Sequence, residues 1–302
     1  WVGSAEWGDY DNDRDLDILL TGGYGVPAIP ISKIYQNTGS GFNEVFAGSI
    51  TGVYGGSVDW GDFDNDGDLD ILLTGHIEDG YPVSKIYQNT GNGFVQIYAG
   101  SLTNIQFGSA TWGDYDNDGD LDILMAGSGI SKIYQNTGNG FTEDLSVSLI
   151  GVEESKVSWG DYDSDGDLDI IITGRDGAAP LSKIYRNNNL TSNSLATVPV
   201  NLISVVNEQN VIFSWSKSTD NETPQNGLTY NLRIGTTPGG CEIMSPMSDP
   251  LTGKRRIVAL GNTNHNNSWV IKGLDPGTYY WSVQAIDNAF AGSTFAEEHS
   301  FT

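Results

Sequence analysis

From Trp60 to Gly75 the chain reads WGDFDNDGDLDILLTG, with an aspartate at every second position from Asp62 to Asp70. Five carboxylates in nine residues resist closing into a tight turn. Each close pair repels by about 1 kcal/mol in water and about 4 kcal/mol at an effective dielectric of 20. The segment that follows, Leu69 to Leu73, is a short apolar run bounded by glycine, the pattern of a buried strand. An acidic loop that feeds directly into a strand therefore needs something to neutralise it.

The same sentence occurs four times, beginning at Trp7, Trp60, Trp112 and Trp159, and each copy is followed by SKIYQN or SKIYRN beginning at Ser32, Ser84, Ser131 and Ser182. Within a copy the apolar residues run at period two or in short solid runs, as in Ser57 to Trp60, Leu69 to Leu73, Lys85 to Tyr87 and Phe94 to Tyr98. Repeats of about 50 residues with four short strands each predict propeller-type, four-stranded blades. The fourth copy passes from Ile184-Tyr185-Arg186 straight into a polar stretch, so one strand is expected to be missing there.

Numbering each loop from 1 to 9, the aspartates are Asp9, Asp11, Asp13, Asp15 and Asp17 in the first copy and Asp62, Asp64, Asp66, Asp68 and Asp70 in the second. The third carries Asp114, Asp116, Asp118, Asp120 and Asp122, and the fourth Asp161, Asp163, Asp165, Asp167 and Asp169. All twenty are candidate metal ligands. Calcium takes six to eight oxygens at about 2.3–2.6 Å, and alternate side chains converge on one point when a glycine lets the chain turn between them. Gly67, Gly119 and Gly166 stand at position 6. The expected shell is the side chains of positions 1, 3, 5 and 9 with the backbone carbonyl of position 7, giving about four Ca2+ sites, one per repeat. Magnesium prefers fewer protein oxygens, and zinc would want the histidine or cysteine that the loops lack. An EF-hand places its last ligand at position 12 between helices, whereas here position 9 enters a strand.

The pattern D-x-D-x-D-G-x-x-D in such repeats resembles the FG-GAP/VCBS repeat of integrin alpha-subunit propellers and of secreted bacterial surface proteins. The resemblance implies that the ligand positions fall on Asp62, Asp64, Asp66, Asp68 and Asp70 and on their equivalents. One departure is Arg14 at position 6 of the first copy, where a positive φ would cost a non-glycine residue about 1 kcal/mol. The first site is therefore expected to be the weakest. Trp7, Trp60, Trp112 and Trp159 are expected in the core between repeats and His76 in a loop; Lys33, Lys85, Lys132 and Lys183 either pair with acids across strands or, as the favoured reading, line a solvated face.

The repeats occupy 1–189, a Ser/Thr/Asn-rich linker 190–198, and a second pattern of short strands 199–302. Leu274 to Tyr279 resembles the turn before strand F of fibronectin type III domains, with Tyr279 as the tyrosine corner and Trp281, Val283 and Ala285 inward. The expected fold is all-β: four propeller-type repeats and a C-terminal fibronectin type III-like β-sandwich.

With 14 Lys+Arg against 39 Asp+Glu, a formal net charge of −25 disfavours nucleic acid and anionic membrane as partners. No run approaches the roughly 20 apolar residues of a membrane span, so membrane insertion is not expected. A single cysteine, Cys241, leaves no internal disulfide framework, and Trp1-Val2-Gly3 reads as the start of a trimmed or mature piece. Millimolar extracellular calcium suits acidic sites of modest affinity. These features favour a non-enzymatic, calcium-stabilised extracellular or cell-surface binding or adhesion module, with a protein or glycan as partner. The alternative is a structural subunit of an extracellular filament or array, self-associating through strand or blade complementation. A polysaccharide-active enzyme ranks third, since the carboxylates are committed to repeated loops, and no catalytic residue is assigned.

Overall fold

The computed structural model describes residues 3–97, 102–255 and 257–302; Tyr98 and Ala99, expected to end a strand, lie outside them. Every regular element among the described residues is a β-strand. The chain divides into two compact units, one of residues 1–64, 68–116 and 120–191 and the other of 192–302 together with 65–67 and 117–119.

The first unit holds one antiparallel sheet per repeat. The first sheet is β1 (Ser4–Gly8), β2 (Asp17–Tyr24), β3 (Ile29–Asn37) and β4 (Phe42–Val45), hydrogen-bonded in that order. The second repeats it with β5 (Val58–Gly61), β6 (Asp70–His76), β7 (Pro82–Asn89) and β8 (Phe94–Ile97). The third consists of β9 (Ser109–Gly113), β10 (Asp122–Gly127), β11 (Ile130–Asn136) and β12 (Phe141–Glu143). The fourth sheet consists, among the described residues, of three strands, β13 (Glu153–Gly160), β14 (Asp169–Asp176) and β15 (Ala179–Tyr185). Among the described residues the sheets do not close into a ring.

Successive sheets pack face to face through one contact used repeatedly. A Cβ placed on Gly8 would fall 2.8 Å from the Trp60 ring, on Gly61 2.6 Å from Trp112, and on Gly113 2.7 Å from Trp159. Each tryptophan thus sits on the bare backbone of the preceding sheet's glycine, and Trp60, Trp112 and Trp159 are buried. Trp7 departs from expectation at 60% exposed: among the described residues no glycine packs on its ring as Gly8, Gly61 and Gly113 do on the other three. Between the second and third sheets the core is Leu72, Ile86, Trp112, Leu121, Ile123, Met125, Tyr134 and Phe141.

Two further expectations change. Lys33 and Lys132 follow the less favoured of the two expected readings and pair across strands with Glu44 at 2.6 Å and Glu143 at 2.7 Å. His76 ends β6 rather than lying in a loop, buried between the rings of Tyr54 and Phe107.

The second unit has two three-stranded antiparallel sheets. One is β16 (Val200–Asn207), β17 (Asn210–Ser216) and β19 (Ser268–Ile271); the other is β18 (Thr229–Gly235), β20 (Tyr279–Ile286) and β21 (His299–Phe301). Phe213 of β17 meets Trp281 of β20 edge to face at 4.8 Å, and Trp215 meets Tyr230 at 5.7 Å. Trp281, Val283 and Ala285 are buried, and the Tyr279 hydroxyl donates to the Asp275 carbonyl at 2.8 Å.

The glycine sockets predict an asymmetry. Gly113→Ala should destabilise the first unit by about 1–3 kcal/mol by overpacking against Trp159. Gly160→Ala, whose Cβ would meet nothing within 4 Å, should leave it unchanged. Paired thermal melts check this, and equal losses would mean that the socket is not the packing determinant.

Candidate metal centres

Each acidic loop connects the first and second strands of its sheet, and its backbone is set by two residues in the left-handed region. Position 4 has φ of 59°, 58°, 59° and 68° at Asn12, Asn65, Asn117 and Ser164. Asparagine tolerates that region better than most side chains. Position 6 has φ of 77° at Arg14 and 98°, 91° and 96° at Gly67, Gly119 and Gly166. Arg14 is therefore held where glycine is favoured.

This curl brings carboxylates together. One oxygen from each of Asp9, Asp11 and Asp13 lies within 4.8 Å of the others, and the same holds for Asp62, Asp64 and Asp66. In the third and fourth loops the groups are Asp114, Asp116 and Asp122, and Asp161, Asp163 and Asp169. Oxygens on opposite sides of one calcium ion stand roughly 4.6–5.2 Å apart, so each triad has a spacing that a single ion can span. Positions 1 and 3 belong to every group. Position 5 joins in the first two loops and position 9 in the last two. The position 7 aspartates, Asp15, Asp68, Asp120 and Asp167, join none; Asp68 instead accepts a 2.7 Å hydrogen bond from Asn12 of the first loop. An all-oxygen, all-anionic donor set on a curled loop fits a hard divalent cation.

Position 9 has a second task. Asp70 accepts the Phe63 amide on one oxygen at 3.1 Å and the Asn89 amide on the other at 2.7 Å. Asp17, Asp122 and Asp169 repeat this bridge with Tyr10 and Asn37, Tyr115 and Asn136, and Tyr162 and Asn187. The asparagine continues the chain of contacts: Asn89, Asn136 and Asn187 each donate a side-chain hydrogen bond to the position 2 carbonyl of the preceding loop, Tyr10, Phe63 and Tyr115, at 2.8, 2.8 and 2.9 Å. The position 2 rings of Tyr10, Phe63 and Tyr115 stack on Trp60, Trp112 and Trp159 of the next sheet. Loop geometry and sheet stacking are thus one structure.

The electrostatics expose the cost. Burial pushes Asp70 up to about 9, with the Asp64 and Asp62 carboxylates adding to the shift against two backbone hydrogen bonds. Asp122 reaches about 9 and Asp17 about 7 for the same reasons, burial foremost. A bound cation would reverse that balance and keep these carboxylates ionised.

Reading the sequence passed over the partner of position 3. Gln36, Gln88 and Gln135 donate to Asp11, Asp64 and Asp116 at 2.6, 2.5 and 2.8 Å. In the fourth repeat the same place holds Arg186, which pairs with Asp163 at 2.7 Å and Asp165 at 2.8 Å and holds Asp165 below the usual carboxylate range. The signal was visible as SKIYRN among three copies of SKIYQN. A fixed guanidinium occupies charge that a metal would otherwise neutralise, so the fourth loop supplies part of its own cation.

Residues 9–73 and 114–172 match the family model of the FG-GAP-like repeat. No curated protein matches the chain. Among solved structures, one of an Agrocybe aegerita lectin, described as recognising non-reducing terminal N-acetylglucosamine, aligns with a TM-score of 0.42 at 14% identity, covering 99% of this chain and 66% of that one.

Two substitutions separate the loops. Arg186→Gln should raise calcium affinity at the fourth loop by about tenfold, since removing one fixed charge a few Å away is worth at least ~1 kcal/mol. Arg14→Gly should stabilise the first loop by about 1 kcal/mol by relieving its positive φ. Calorimetric calcium titration of each variant reads both, and an unchanged isotherm for either contradicts the role given to that arginine.

Proposed function

We propose that this chain is a calcium-stabilised, non-enzymatic binding or adhesion module that works outside the cell or at its surface. The single observation that carries the reading is the fourfold acidic loop, in which three carboxylates converge and the position 9 aspartate fixes the loop to the end of its own sheet. The FG-GAP-like match over two segments supports a repeat module of this class. In this reading one calcium ion per loop makes the stacked, propeller-type sheets rigid, and exposed loops contact a protein or glycan. The second unit is a fibronectin type III-like sandwich, supported by its two three-stranded sheets and the Tyr279 corner. Acidic side chains serve the same structural role in every repeat, which is why the reading assigns no catalytic residue.

A second reading, a subunit of an extracellular filament or array assembled through strand complementation, is favoured by the fourth sheet, in which β15 pairs only with β14 among the described strands.

The test is to probe labelled chain against arrays of glycans and extracellular proteins with calcium and with chelator, alongside light scattering over a concentration series. Capture that requires calcium is the expected result. Particle growth with concentration would favour the filament, and capture that is indifferent to chelator would remove calcium from the mechanism.

A further inference from the structure

The fourth sheet ends where the other three continue. In the first three repeats the outer strand pairs in one register, Asn37 opposite Phe42, Asn89 opposite Phe94 and Asn136 opposite Phe141. Its phenylalanine fills a definite place: Phe94 packs on Tyr10 at 5.8 Å and Trp60 at 5.9 Å, and Phe141 on Phe63 at 6.0 Å and Trp112 at 5.7 Å. After Asn187 the chain reads Asn188-Asn189-Leu190 in place of a glycine turn and phenylalanine. Tyr115 and Trp159 still stack at 6.0 Å, but no described phenylalanine joins them.

Beside Tyr115 lies an open cavity of about 450 Å³ in the first unit, with Leu149, Ile170 and Tyr185 on its apolar side and Asp116, Asp144 and Arg186 on its polar side. A neighbouring side chain is uncovered in the same way. Phe46, four residues after Phe42, packs edge to face on Phe94 of the next sheet, whereas Leu145, four residues after Phe141, is 84% exposed. Beside the cavity, β15 pairs only with β14 among the described strands. A sheet edge, an aromatic-sized cavity and an uncovered leucine thus meet at one position.

We propose that this position is a strand-docking groove for an extended peptide of another protein carrying the pattern Gly-Phe-x-x-Val/Ile. The peptide adds as the fourth strand along Ile184 to Asn187 and places its phenylalanine against Tyr115 and Trp159, as Phe94 sits against Tyr10 and Trp60. The chain itself defines the occupant, since FNEV, FVQI and FTE cover this position in the other three sheets. Those strands are already paired within their own sheets, so a second copy has none of them to donate. Backbone hydrogen bonds would supply affinity and the cavity would select the ring. The inference deepens the binding-module reading by naming one partner class.

The probe is a capped synthetic peptide of the sequence TGNGFVQI, that of Thr90–Ile97, titrated calorimetrically into the full chain with calcium present. Saturable binding is expected. It should weaken by about tenfold or more when the peptide's phenylalanine becomes alanine, and likewise when its valine becomes proline, which removes a strand donor. Leu149→Trp, which fills the cavity from inside, should block binding while keeping the native melting transition. Amide shifts should centre on Leu145 and Tyr185. Equal binding of the alanine peptide, or no saturation at millimolar peptide by a natively melting chain, overturns the proposal. Either failure would leave calcium-dependent capture of other partners untouched, so the two ideas fail separately.

Discussion

Everything in the repeats depends on how a carboxylate is kept buried at the end of its sheet. The position 9 aspartate accepts one amide from its own loop and one from the end of the third strand, and so fixes where the loop lies on its sheet. The next asparagine side chain reaches back to the preceding loop, and the preceding loop's aromatic ring reaches forward onto a tryptophan. Such a carboxylate is buried among other acids and is favourable in its ionised form only beside a positive charge. The stacking of hydrophobic sheets is thereby coupled to the neutralisation of acidic loops.

The four repeats differ in how they meet that demand. The first keeps an arginine at a position of positive φ, and the middle two combine glycine with a glutamine partner. The fourth replaces glutamine with Arg186, which pairs two of the acids directly. A repeat array tolerates such variation because each unit contacts mainly its neighbours. The glycine–tryptophan contact is made three times among the described residues, while Trp7 stays exposed and a Cβ on Gly160 would meet nothing within 4 Å.

Much of this was legible in the sequence. The all-β class, the four-stranded sheets and the three described strands of the fourth repeat follow from alternation and turn residues, which are local. What escaped was set by neighbours. Trp7 has nearly the same local sequence as Trp60 yet lies exposed, because the burial of Trp60 depends on Gly8 of another sheet. Lys33 and Lys132 look like solvated positions until the cross-strand register places Glu44 and Glu143 within reach. His76 reads as loop until β6 runs through it to pair with Pro82. Among the loop acids the alternation was plain, but the split between positions 5 and 9 in the convergent groups belongs to the three-dimensional curl.

The most direct test of the central claim is thermal unfolding of the whole chain at about 1 mM calcium and again in excess chelator, followed by tryptophan fluorescence. Trp60, Trp112 and Trp159 lie at the interfaces that the loops hold, so their emission reports the coupled structure. A ligand that binds only the folded state raises the melting temperature by mass action. The account predicts a large calcium-dependent rise in the transition of these buried tryptophans, reversed by chelator. An identical transition with and without calcium would contradict it.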